Sequence, residues 1–177
     1  MSTLLVRPEV FRNRTENFGY EYLSFESRKM TPGTEYTGET ASSELAIVVL
    51  GGICTVNSSR GEWKSIGGRA TVFDGLPYTL YLPVHTTFTF TAVTDCDLAL
   101  CYSRAEVEHP ACLVTPDQVG IEIRGGGNAT RQINSMIPPT FPAHHLIVVE
   151  VYTPAGNWSS FPPHKHDFHN PPEEVDL

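Results

Sequence analysis

The sequence predicts an all-β protein, a sandwich or barrel of short strands, and three observations carry that expectation. Fourteen glycines and fourteen prolines interrupt the 177 residues at short intervals, which favours short strands over long helices. From about residue 20 to 125, apolar and β-branched segments recur with turn residues between them, the spacing of a sandwich or barrel. No stretch of about ten or more residues carries an amphipathic helical pattern.

The elements follow in order. YEYLSFES (20–27) alternates and meets the turn TPG (31–33). ELAIVVLGGICTV (44–56) is apolar and broken by Gly51-Gly52. RATVFDG (69–75), TLYLPV (79–84), TFTFTAV (87–93) and LALCYS (98–103) read as further strands. TFTFTAV puts Phe88, Phe90 and Ala92 on one face and threonines on the other. A second block starts near residue 112. LVTPDQVGIEIRGGGNATRQINSMIPP (113–139) is polar and Gly-rich, so it reads as an inter-domain connection with a short strand or two. HLIVVEVYTPAGNWSSFPPHKHD (145–167) then resumes the sandwich pattern. FESRKMTPG (25–33) and VEVYTPAG (149–156) both run from an acid on a strand into a T-P turn, an echo that fits internal duplication or a chance recurrence of turns.

Composition bounds the function. Forty per cent hydrophobic residues with 18% charged fits a folded, soluble chain. Twenty acids against twelve lysines and arginines give a formal charge of −8, which argues against a nucleic-acid or anionic-membrane surface because phosphate binding needs a concentrated positive field. No apolar run approaches the roughly 20 residues that cross a bilayer. The opening MSTLLVRPEVFRNR lacks a signal-peptide core, and Cys54, Cys96, Cys101 and Cys112 show no C-x-x-C spacing. Reduced thiols and a cytoplasmic address are the expectation.

The motif with most chemistry is FPPHKHDFHN (161–170). In an extended segment His164 and His166 share a face, about 7 Å apart, and can address one ion. Two imidazoles do not complete a site, which needs a third and usually a fourth ligand with a position left open. The other reading is a set of solvated histidines in a Pro-rich, acidic tail. Gly125-Gly126-Gly127 lacks the Lys-Ser/Thr of a phosphate loop. Arg124 and Arg131 flank it, and either can clamp a carboxylate or simply face solvent. His85 reads as a loop-tip residue. At least one of His144 and His145, at the start of a strand, is expected to be buried and hydrogen-bonded. Cys96 and Cys101 read as structural, and no G-x-S-x-G elbow is present.

Taken together, PGTEYTGETASSELAIVVLGGICTV (32–56), RATVFDGLPYTLYLPVHTTFTFTA (69–92), RGGGNATRQINSMIPP (124–139) and LIVVEVYTPAGNWSSFPPHKHD (146–167), with the opening STLLVRP (2–8), make the chain resemble a known family. It is similar to the 5-deoxy-glucuronate isomerases of bacterial inositol catabolism, relatives of the 4-deoxy-threo-hexosulose-uronate isomerases of pectin breakdown. The resemblance implies a bicupin: a metal-free N-terminal cupin (1–112), a connecting segment (113–144) and the start of a metal-binding cupin (145–177). It covers about the first two thirds of a typical member, so a C-terminally truncated second cupin is expected. By position, His164 and His166 match the family's first two ligands to a divalent transition metal, zinc or manganese foremost. The family's glutamate and last histidine are expected past Leu177, with Glu173 or Glu174 as substitutes.

The implied activity is a sugar-acid aldose–ketose isomerisation of 5-deoxy-glucuronate to 5-dehydro-2-deoxy-gluconate through a metal-stabilised enediolate, with Arg124 and Arg131 as substrate contacts. The missing ligands leave catalytic competence open. The alternative is a non-catalytic cupin module that binds a small ligand or self-associates through open sheet edges, and a metal-dependent cupin oxygenase is a third reading. The expected partners are a small sugar acid and, as a homo-oligomer, further copies of the chain, with no nucleic acid and no membrane.

Overall fold

Alternation of apolar and polar residues builds two sheets around one core. The computed structural model describes residues 20, 22–162 and 168–171. Strands β1 (Leu23–Met30), β8 (Cys96–Arg104), β3 (Ser43–Gly51), β6 (Thr79–Leu82) and β9 (Cys112–Val114) form a five-stranded sheet in that spatial order. Strands β2 (Glu35–Glu39), β7 (Thr87–Ala92), β4 (Ile53–Ser58) and β5 (Gly61–Gly67) form a four-stranded sheet facing it. Leu45, Ile47 and Val49 of β3 and Leu98 and Leu100 of β8 meet Val56 of β4 and Phe88 and Phe90 of β7 in the space between. Phe88, Phe90 and Ala92 point inward, as the alternation of TFTFTAV requires.

The run LAIVVL is apolar at every position because β3 is covered on both faces. Ala46 and Val48, with Tyr81, Ala99 and Val114, face away from the sandwich into a second core. That core is completed by Met136, Ile137, Leu146 and Val148. They belong to a third sheet or its entry, in which β10 (Gly120–Arg124), β11 (Arg131–Ile137) and β12 (Val148–Tyr152) pair in that order, all antiparallel. Segment 113–144 therefore supplies two strands of the sheet that β12 completes. Among the described residues the only helical elements are two 3-10 turns, Pro116–Gln118 and Gly127–Ala129.

RATVFDG does not form the strand its composition predicts. The Asp74 carboxylate accepts from the Thr71 N–H at 2.9 Å and the Thr71 hydroxyl at 2.7 Å, closing a tight turn, so local side-chain bonding displaces the ladder. The loop is held in place by Arg69, whose Nε–H donates to the Val49 carbonyl at 3.1 Å.

Two polar clamps join the third sheet to the sandwich. Glu44 is fully buried and accepts from three successive backbone N–H groups, His144 at 2.8 Å, His145 at 2.6 Å and Leu146 at 2.7 Å, and from the Tyr81 hydroxyl at 2.8 Å. Burial opposes its ionisation, but these donors outweigh it and hold the carboxyl below its ordinary value. In the second clamp Arg69 grips Glu150 of β12 bidentately, Nη1 to Oε2 at 3.0 Å and Nη2 to Oε1 at 2.8 Å. Tyr152 adds a hydroxyl donated to the Val72 carbonyl at 2.6 Å.

All four cysteines are free thiols. Burial pushes the Cys54 thiol far up and the Cys101 thiol up to about 11, the signature of inert structural cysteines. His85, exposed at positive φ, sits on a loop and its backbone N–H donates to the Ala41 carbonyl at 2.8 Å. His144 is half-buried and accepts the Glu106 N–H on Nδ1 at 3.3 Å, while His145 is exposed. Neither is buried as expected, because it is their backbone that faces Glu44 and not their rings.

Candidate functional site

The three-stranded sheet has two faces of different character, assigned by register. Glu150 and Tyr152 of β12, opposite Asn134 and Gln132 of β11, look toward the sandwich and carry the Arg69 clamp. The other face carries Val149 and Val151 of β12, Arg131, Ile133 and Ser135 of β11, and Glu122 and Arg124 of β10. Val149 and Val151 are 45% and 40% exposed, while Ile133 at the centre is 8% exposed. This face is an apolar floor with charge along one side.

Arg124 and Arg131 are register partners, directly opposite across the β10–β11 hairpin. Gly125 makes that placement possible. It adopts φ +88°, and a Cβ there would run into the Ala129 carbonyl oxygen, so the turn between the arginines closes only around glycine. The triple glycine is thus a hairpin turn and not a phosphate loop.

Two like charges placed opposite each other repel, and Glu122 offsets this. It accepts from Arg124 Nε–H at 3.1 Å and Nη2–H at 2.7 Å. The Arg124 hydrogen bonds, and the Arg131 charge in addition, hold the Glu122 carboxyl low, while Glu122 raises Arg124 in return. Arg131, half-buried, donates from Nη1–H to the Ala129 carbonyl at 3.2 Å, and its other guanidinium donors have no protein partner among the described residues. The cluster carries a net positive charge on a strongly acidic chain, and can receive a small carboxylate by charge-assisted hydrogen bonds.

The chain beyond β12 folds back onto this turn. Trp158 N–H donates to the Asn128 carbonyl at 2.7 Å and Asn157 Nδ2–H to Thr130 O at 2.8 Å. Trp158 packs edge-on against Phe161 at 5.9 Å, and Phe161 is 72% exposed. Exposed aromatics whose backbone is tied to the turn between the two arginines suit the apolar face of a sugar. Sequence reading missed Glu122 and Trp158. The i, i+2 spacing of Glu122 and Arg124 on one strand was a usable signal for the first, whereas Trp158 reaches the turn by a tertiary contact.

The expected metal ligands His164, His166, Glu173 and Glu174 lie outside the described residues. Among the described residues no group of three or more His, Cys, Asp or Glu side chains is arranged to hold a metal ion. Among them too, no helix is long and apolar enough to cross a membrane.

Antiparallel sheets closed around an apolar centre, with the charged groups on the face of a further sheet, define a cupin-like all-β protein. The chain belongs to the KduI/IolB family, whose model matches residues 6–177. It is 42% identical over 166 residues to the 5-deoxy-glucuronate isomerase of Geobacillus thermodenitrificans, covering 93% of this chain and 61% of that protein. The isomerase of the same name from Bacillus subtilis is 38% identical over 186 residues, covering 98% and 69%. In structure it is similar to an IolB-like protein from Salmonella typhimurium, with a TM-score of 0.85 and 35% identity over 92% of this chain and 63% of that one. The chain thus spans about three fifths of the first of these relatives.

Proposed function

We propose that the chain is part of a sugar-acid isomerase that interconverts 5-deoxy-glucuronate and 5-dehydro-2-deoxy-gluconate. The observation that carries this reading is the opposed Arg124–Arg131 pair on one sheet face, in a chain of the KduI/IolB family. An aldose–ketose isomerisation moves a proton between adjacent carbons, and the substrate must be held by its unreacting end while it does so. Arg124 and Arg131 hold the carboxylate, and Trp158 rests against the carbon chain. Glu122 engages Arg124 in the free protein and gives it up to the incoming carboxylate. His164, His166 and Glu173 or Glu174 are the residues that would hold a divalent transition metal, zinc or manganese, which would supply Lewis-acid chemistry to the isomerisation.

The test is an NMR assay of 5-deoxy-glucuronate conversion with the Arg124→Ala and Arg131→Ala variants. The reading expects KM to rise about tenfold or more in each, a loss of roughly 1.4 kcal/mol or more of substrate binding, with the fold intact by circular dichroism. An unchanged KM in both variants sinks the assignment of the arginines. A second reading, a non-catalytic module that self-associates, draws on Ile121 and Ile123 of edge strand β10, which are 57% and 63% exposed. Substrate binding without turnover, together with concentration-dependent dimers, would select it.

A further inference from the structure

The first sandwich carries a cavity that the isomerase reading does not use. At one end of it the turns meet: Ser59 N–H donates to Thr87 O at 2.9 Å, and Ala105 N–H to Ser42 O at 3.0 Å. A cavity of about 410 Å³ opens there between Arg60, Pro83, Glu108, His109, Pro110 and Ala111, a size that accommodates small molecules. Ala111 packs on the sandwich core, so the floor is set by the fold, and the two prolines give stiff apolar walls.

Its polar groups are only partly used. Arg60 Nη2–H donates to Glu108 Oε2 at 2.9 Å and toward the Val84 carbonyl at 3.5 Å. Both bonds use one nitrogen. Nε and Nη1 of Arg60, Oε1 of Glu108 and the His109 imidazole have no protein partner among the described residues. The Arg60 and Glu108 side chains are 32% and 49% exposed, and an ion pair this wet adds little to stability. One guanidinium, one carboxylate and one imidazole do not make the concentrated positive field that a polyanion requires. They do match a ligand with a single carboxylate and several hydroxyls. The carboxylate accepts from the open Arg60 donors, a hydroxyl donates to Glu108 Oε1, and the carbon backbone lies against the prolines.

We propose that this cavity binds a small hydroxy acid of sugar-acid size, with Arg60 as the carboxylate anchor and Glu108 and His109 as hydroxyl partners. The site is separate from the Arg124–Arg131 face and does not depend on it. The test is a ¹H–¹⁵N NMR titration of the whole chain with D-glucuronate, with D-glucuronamide as the uncharged control. Saturable shifts are expected at Arg60, Val84, Glu108, His109 and Ala111. They should weaken at least tenfold in Arg60→Gln and clearly in His109→Ala, each variant otherwise keeping the native spectrum. The same shifts should persist in an Arg124→Ala/Arg131→Ala protein, which separates this site from the isomerase reading. Resonances that do not move, shifts unaltered by Arg60→Gln and His109→Ala, or equal binding of the amide would each overturn the proposal.

Discussion

Replacing Glu44 tests how the third sheet is held. In Glu44→Ala the His144, His145 and Leu146 N–H groups and the Tyr81 hydroxyl lose their acceptor at once. Leu146 and Tyr81 are buried, so water cannot replace the carboxylate there, whereas it reaches His145 and part of His144. Each buried donor left unsatisfied costs about 1–3 kcal/mol. Two of them set the expected loss at about 4 kcal/mol, or a fall of roughly 8–16 °C in Tm for a chain of this size. Glu44→Gln keeps one acceptor oxygen and turns an NH₂ toward two donors, so it should lose about half as much. Urea unfolding at neutral pH measures both. The pH dependence supplies the sign. Because the folded carboxyl lies below the ordinary 4.5, its contribution is present above 4.5 and disappears as pH falls through the folded value. The acid limb of the stability profile should therefore flatten in Glu44→Gln. A loss below about 1 kcal/mol in Glu44→Ala, with an unchanged acid limb, would refute the reasoning.

Further outcomes follow from other contacts. Arg69, 4% exposed, and Glu150, 14% exposed, form a clamp whose single truncations should each cost about 3 kcal/mol. A double-mutant cycle in urea should show coupling above about 1 kcal/mol, and additivity would mean the pair is incidental. Gly125→Ala forces a left-handed φ and a collision with Ala129 O, so about 2 kcal/mol of stability should go. Hydrogen exchange should find that loss in β10 and β11, and unchanged protection there would contradict it. Cys54 and Cys101, buried or nearly so and with thiols pushed up, should resist a thiol reagent at pH 8 until the protein unfolds. Prompt reaction at either would show that the inner strands open.

The candidate site was legible only in part. Arg124 and Arg131 were visible as charges flanking three glycines, and their meeting follows from a seven-residue separation closed by a tight hairpin. Glu122 was visible in principle by strand alternation. The turn at RATVFDG was not, since the Asp74 side chain that closes it competes with a ladder that composition alone favours. His144 and His145 drew attention as side chains, yet their backbone N–H groups carry the contact.

What the sequence by itself determined is the β character, the inward face of TFTFTAV and the apolar, strand-sized run LAIVVL, because strand periodicity and apolar runs are written in consecutive residues. Only tertiary structure decided that LAIVVL's outer face would meet Met136, Ile137 and Val148, and that Glu44 would bind residues about a hundred positions away. No local pattern encodes such a pairing: a glutamate that ends in a ring of backbone donors and one that ends in water look the same until the sheets pack. The same packing turned Glu150 and Tyr152 toward Arg69 and left Arg131, Val149 and Val151 on the open face.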